Sequence, residues 1–177
     1  MAPIHPGAAN GSYQSDAKFT SRGGGLVRIH AGEMSIAGQV LANAGSPSYT
    51  ANLFGGAAGG GIWLTADAFD FAATAVLSVK GGNTKYGPDS VGGGGRIAIG
   101  EGLLDKHIET LAATGECPGL RRSALRTNEK SLANFAAKHP GATVVIDSGD
   151  TKNGAAVDAD RGSFEFYAPR GGLFIMR

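Results

Sequence analysis

GGGLVRIHAGEMSIAGQVLANAG, residues Gly23–Gly45, lines up without gaps with GGGIWLTADAFDFAATAVLSVKG from Gly59 and with GGGRIAIGEGLLDKHIETLAATG from Gly93. The starts lie 36 and then 34 residues apart. Gly25, Gly61 and Gly95 precede Leu41, Leu77 and Leu111 by 16 residues, and precede Gly45, Gly81 and Gly115 by 20. Glycine matches alone would follow from composition. The aligned apolar positions Val27, Trp63 and Ile97, and Ile29, Thr65 and Ile99, make this a repeat.

Each unit opens with a short stretch rich in β-branched residues, such as Leu26-Val-Arg-Ile29 or Arg96-Ile-Ala-Ile99, and carries a second one, such as Gln39-Val-Leu41 or Ala75-Val-Leu-Ser-Val79. Such runs between turn residues read as strands. In unit one Val27 and Ile29 alternate with Arg28 and His30. Ile62-Trp-Leu64 does not alternate, so one of its apolar side chains is expected outside the core or under a loop. A unit of this size cannot bury its own apolar face, but stacked copies make a continuous inner column. The expected fold is mainly β: a right-handed parallel β-solenoid of about three glycine-rich units, with strands about 4.8 Å apart. Val27/Trp63/Ile97, Ile29/Thr65/Ile99 and Leu41/Leu77/Leu111 would form its ladders. A small antiparallel β-sandwich built from the same strands is the alternative.

The composition around the repeat agrees. Among 177 residues, 30 are Gly and 7 are Pro, and the formal net charge is +1. Gly at corners lets neighbouring passes approach closely. A near-neutral chain is not a generic nucleic-acid binder, which would be strongly basic. A single cysteine excludes an internal disulfide framework and a multi-cysteine zinc site. No apolar run reaches the ~18 residues of a membrane span, and Met1-Ala-Pro-Ile-His-Pro lacks a signal-peptide profile.

Three regions follow. Residues 1–22 read as a loop or partial repeat with no unit in front of it, which predicts that the chain starts inside a longer array. Residues 23–116 are the solenoid repeats, joined by Gly, Ala, Ser, Asn and Pro loops at 46–60 and 82–94. Residues 117–177 are a cap that covers the open column. Within it, Leu125, Leu132, Phe135 and Ala136 predict a helix over 121–138, with Thr127 or Asn128 as N-cap and His139-Pro-Gly141 as stop. Strands are expected near Thr143–Asp147, Ser163–Tyr167 and Leu173–Met176.

Gly59-Gly-Gly-Ile-Trp-Leu-Thr65, Ala75-Val-Leu-Ser-Val-Lys-Gly-Gly82 and Gly92-Gly-Gly-Gly-Arg-Ile-Ala-Ile99 resemble the glycine-rich repeats of very large exported bacterial proteins, similar to autotransporter passengers and adhesin-like chains with parallel β-helix folds. The resemblance spans about residues 20–116. It implies a secreted or cell-surface location as part of a longer exported chain, and a scaffold or adhesive role toward glycans or matrix and cell-surface ligands. It carries over no catalytic residue.

Chemistry-bearing candidates are few. None of the glycine runs is followed by the Lys-Ser/Thr of a phosphate loop, and β-branched residues stand where a dinucleotide fingerprint needs a helix. Asp67 and Glu101, 34 residues apart, share a unit position and are expected as neighbours on adjacent rungs. Two carboxylates ~5 Å apart suit general acid/base work on a polysaccharide, so a carbohydrate-active β-helix is the alternative function to a non-catalytic module. A solvated pair at a turn is the plainer reading. Asp147, Asp150, Asp158 and Asp160 form an oxygen-rich tract, a candidate for Ca²⁺ that matches neither the EF-hand nor the GGxGxD pattern and otherwise reads as a solvated loop. His5, His30, His107 and His139 lack zinc-ligand spacing, with His30 and His107 expected as exposed side chains. Cys117 reads as a turn residue. Arg121, Arg122, Arg126 and Lys130 read as a solvated helix face. Tyr49, Phe54 and Tyr86 would stack on sugars if exposed, whereas Trp63 is expected in the core. Beyond the calcium candidate, the sequence predicts no cofactor, no nucleic-acid partner and no membrane span.

Overall fold

In a computed structural model, residues 3–9, 21–46, 55–84, 91–103, 105–114, 128–151 and 161–167 are described. In chain order the elements are β1 (Leu26–Ile36), β2 (Gln39–Leu41), β3 (Gly61–Phe71), β4 (Val76–Ser78), β5 (Arg96–Glu101), α1 (Asp105–Thr114), α2 (Asn128–Lys138), β6 (Thr143–Val145) and β7 (Ser163–Tyr167). The fold is mainly β. One sheet runs β1-β3-β5-β7 and the other β2-β4-β6. Every ladder in both sheets is parallel, which excludes the antiparallel sandwich. The chain crosses from one sheet to the other on each pass.

The register is regular where the glycine-anchored alignment was not. Val27 faces Ile62 and Ile62 faces Ile97, a constant step of 35 residues. The expected ladders therefore need correction in the middle unit. Val27, Ile62, Ile97 and Phe164 form one inner row, and Ile29, Leu64, Ile99 and Phe166 the next. Trp63 faces Arg28 and Ala98, and Thr65 faces His30 and Gly100, on the opposite face. A one-residue slip turns every side chain over. Its source is Gly61, which belongs to the strand itself, opposite Leu26 and Arg96.

Leu41, Leu77 and Leu111 do not stack either. Leu77 sits between Val40 and Val144, Leu41 faces Ser78, and Leu111 lies in α1. Sheet two steps by 37 from β2 to β4 because residues 72–75 connect its strands where residues 37–38 suffice one pass earlier.

The inner rows meet Leu77, Val79 and Ile146 from the second sheet in one core. Alternation along β3 breaks after Ala66: Asp67 and Ala68 are exposed and Phe69 is buried. The strand bends there, and Phe69 and Phe71 turn back onto the core. In the third pass the bend position falls at Gly102, whose φ of 62° is left-handed and favours glycine. From Gly102 the chain departs into α1 and α2 before returning as β6.

Thus the stretch beginning at Gly93 supplies only one strand before turning helical, and the region 117–177 is more than a lid. Its β6 and β7 extend both sheets by another pass, 67 residues after β4 and β5. Helix α2 ends at Lys138, as the His-Pro-Gly stop predicts, and begins at Asn128. Residues 121–127 and 173–176 lie outside the described residues. Phe135 of α2 sets its ring 5.2 Å from Phe164, 5.6 Å from Phe166 and 5.3 Å from Phe71. Truncating it, Phe135→Ala, is expected to cost about 3–5 kcal/mol, readable as a fall in the thermal midpoint by circular dichroism.

Helix α1 covers the outer face of the first sheet. Leu111, Ile108 and Ala112 pack with Trp63, Ala98 and Tyr167. Ala98 and Gly100 leave room for it: a side chain at Gly100 would meet Leu103 Cδ1 at 2.5 Å. Trp63 is the apolar residue that the non-alternating run sends outside, and it is still 1 % exposed. The Arg28 guanidinium lies 4.2 Å from its ring centroid, a cation–π contact of about 1 kcal/mol.

Beside the strands, glycine-rich segments form a third wall in which backbone lies against backbone at the glycines. The amide of Ala58 donates to Ala8 O, that of Gly59 to Gly93 O, that of Gly60 to Ala42 O and that of Gly61 to Gly25 O. A β-strand directs successive amides alternately to two sides; these four reach four separate segments of the chain. Buried backbone groups are thereby satisfied without a ladder. A Cβ at Gly59, Gly60, Gly92, Gly95 or Gly162 would overlap the carbonyl oxygen of Val79, Gly25, Ala57, Gly60 or Gly95 respectively.

Candidate functional site

The titratable side chains that the fold draws together are Glu101, Lys138 and His139. Glu101 ends β5 and faces Ala66, itself opposite Ala31. Its row points inward, so an acid occupies a place filled by alanine on the two preceding passes. Burying a lone carboxylate is costly unless it is paired. Helix α2 brings the partners: Glu101 Oε2 lies 2.8 Å from Lys138 Nζ and 3.0 Å from His139 Nε2. Glu101 is 7 % exposed and His139 8 %, while Lys138 reaches in from the surface.

The histidine is placed by the end of its helix, where its amide donates to Phe135 O. Its ring is enclosed by aromatics, with the centroids of Phe71 and Phe135 at 5.1 Å, Phe166 at 6.2 Å and Phe69 at 6.4 Å. A carboxylate on one ring nitrogen fixes the orientation of an imidazole. Set among four phenylalanines, that fixed pair fastens α2 to the end of β5.

Asp67 does not join it. Because the register steps by 35 rather than 34, Glu101 pairs with Ala66, and Asp67 is exposed at the bend. Adjacent positions on one strand face opposite ways, so the expected stacked carboxylate pair is not formed. Asp67→Ala is expected to change the thermal midpoint by no more than about 0.5 kcal/mol equivalent, measured by the same melts.

The oxygen-rich tract is divided. Asp147 Oδ1 lies 3.2 Å from Arg161 Nε, and Asp150 Oδ2 lies 2.6 Å from Lys80 Nζ. Asp158 and Asp160 lie outside the described residues. Among the described residues no group of three or more His, Cys, Asp or Glu is placed to hold a metal ion, and no helix is long and apolar enough to cross a membrane.

His5 and His30 are exposed, with His30 Nδ1 2.9 Å from Thr65 Oγ1. His107, expected at the surface, is a half-buried residue of α1. Its Nδ1 and Trp63 Nε1 are the enclosed side-chain nitrogens without a hydrogen-bond partner among the described residues. Lys130 is exposed. Arg121, Arg122, Arg126, Cys117, Tyr49, Phe54 and Tyr86 lie outside the described residues.

Sequence reading missed Lys138 and His139 as partners of Glu101. The available signal was an acid at an alanine position, with Lys-His closing a helix later in the chain. No protein-family model matches this chain, and no curated protein or solved structure matches it either.

Proposed function

We propose that the chain is part of a right-handed parallel β-solenoid serving as a non-catalytic structural or adhesive module of a larger secreted or cell-surface bacterial protein, with glycans or matrix ligands as its partners. The observation that carries this reading is the unchanging 35-residue register through β1, β3 and β5. Two parallel sheets visited alternately and a glycine wall packed backbone to backbone accompany it. Such a frame is rigid and quasi-one-dimensional, and it holds its connecting loops at fixed intervals. The acid that looked catalytic is engaged with Lys138 and His139 in holding α2, which favours scaffold over enzyme. Fold alone never establishes a role; this use of the polar residues and the repeat resemblance support the reading beside the register.

The test is an immunoblot of fractionated producing cells with an antibody raised against this chain. A band well above 17.9 kDa in the surface or secreted fraction is the expected result. A band of that mass confined to the cytosol overturns the reading.

A further inference from the structure

The core column has unlike ends. Over β7 lies α2, with Phe135 against Phe164 and Phe166. At the other end β1 and β2 are, among the described residues, the edge strands of their sheets. The exposed large apolar side chains on strands gather there: Leu26 at 39 % and Ile29 at 43 % on β1, and Leu41 at 49 % on β2. Ile29 stands in an inner row, opposite buried Leu64. An 11-residue edge with such residues is open to another strand.

The sequence of β1 fits itself. Its alternation changes phase at Gly32, the bend position: Val27, Ile29 and Ala31 face inward before it, Met34 and Ile36 after it. Antiparallel pairing of two copies about the midpoint of Ala31 and Gly32 therefore keeps like faces together. Val27 then stands opposite Ile36 of the second copy and Ile29 opposite its Met34. On the outer face His30 meets the other Glu33, and Arg28 meets the other Ser35. His30 uses Nδ1 toward Thr65, which leaves Nε2 for the carboxylate. Head-to-tail addition fits less well, because β7 has five residues and would leave half of β1 unpaired.

We propose that the β1 edge is a homodimer interface, two copies joining β1 to β1 about a two-fold axis into one continuous sheet. Such an isologous contact closes on itself and does not propagate into fibres. A preceding pass of a longer polypeptide would compete for the same edge.

Light scattering coupled to size exclusion on the 177-residue chain reads the outcome. Twice the monomer mass is expected. Ile29→Lys, at an exposed position, should give a monomer with unchanged circular dichroism, its thermal midpoint lowered only by the lost association and no longer dependent on protein concentration. His30→Glu should also lose the dimer by facing Glu33, and His30→Glu combined with Glu33→Arg should regain it. A wild-type monomer at up to about 100 µM, ample for a specific interface, overturns the proposal, as does a dimer that survives Ile29→Lys. A monomer whose β1 amides resist hydrogen exchange also overturns it, by placing another segment on that edge. None of these outcomes bears on the scaffold reading, which the fractionation tests.

Discussion

Gly95→Ala will unfold this protein or lower its stability by about 4 kcal/mol or more, whereas Gly25→Ala will leave it within about 0.5 kcal/mol of wild type. The two glycines stand at comparable places in their units, yet a Cβ at Gly95 runs into the carbonyl oxygen of Gly60, with Gly59 C and Gly60 N close behind, and a Cβ at Gly25 meets nothing within 4 Å. Every atom in the way at Gly95 is backbone, so no rotamer change relieves the clash. Moving the Gly60 pass would disturb its own bonds to Ala42 O and from Arg96 N. Neither glycine has a positive φ, so at Gly25 the added methyl even restricts the unfolded chain, a gain of about 0.4 kcal/mol. In a domain of this size each kcal/mol moves the thermal midpoint by roughly 2–4 °C, which makes the contrast easy to read by circular dichroism. Equal midpoints for the two variants would show that the wall is not closely packed.

Glu101→Ala should cost about 2–3 kcal/mol, near the lower end for breaking a buried ion pair, because Lys138 is 53 % exposed on its side chain and regains water. The loss falls on His139, left with an unmade hydrogen bond among Phe69, Phe71, Phe135 and Phe166. Replacing both members, Glu101→Leu with His139→Phe, should recover most of that loss, since an apolar pair of similar volume suits the aromatic surroundings. Chemical denaturation of the three proteins checks this. If the double variant is no more stable than Glu101→Ala alone, the cluster does more than hold the helix.

Much of the architecture could be read from the residues, and the failures have local causes. The repeat of Gly and β-branched runs predicted parallel stacking because no unit can bury its own face, and β7 was expected at Ser163–Tyr167, where it lies. The register between units one and two was misread because glycine triplets are interchangeable in a sequence but not in space: Gly60 adjoins Gly25 through their backbones, while Gly61 has already entered the sheet. That single residue decided that Trp63 lies under α1 and that Asp67 stands apart from Glu101. Helix α1 was hidden by a coincidental match at Leu111 and Gly115, although Ile108, Leu111 and Ala112 carry a helical spacing. The Glu101 cluster joins residues 37 and 38 positions apart across an insertion, so no local pattern announces it.

The bend after β5 has a consequence for how such a protein changes over generations. At the corner between the two sheets the connection is residues 37–38 on the first pass, 72–75 on the second and 102–142 on the third, yet the ladders on both sides resume in parallel. Length added at that corner is absorbed outside the sheets and leaves the pairing of neighbouring passes unchanged. The corner is thus a graft point, where whole helices can be acquired, lost or exchanged by recombination while the glycine wall, which admits not even a methyl group at Gly95, holds the lineage to one backbone.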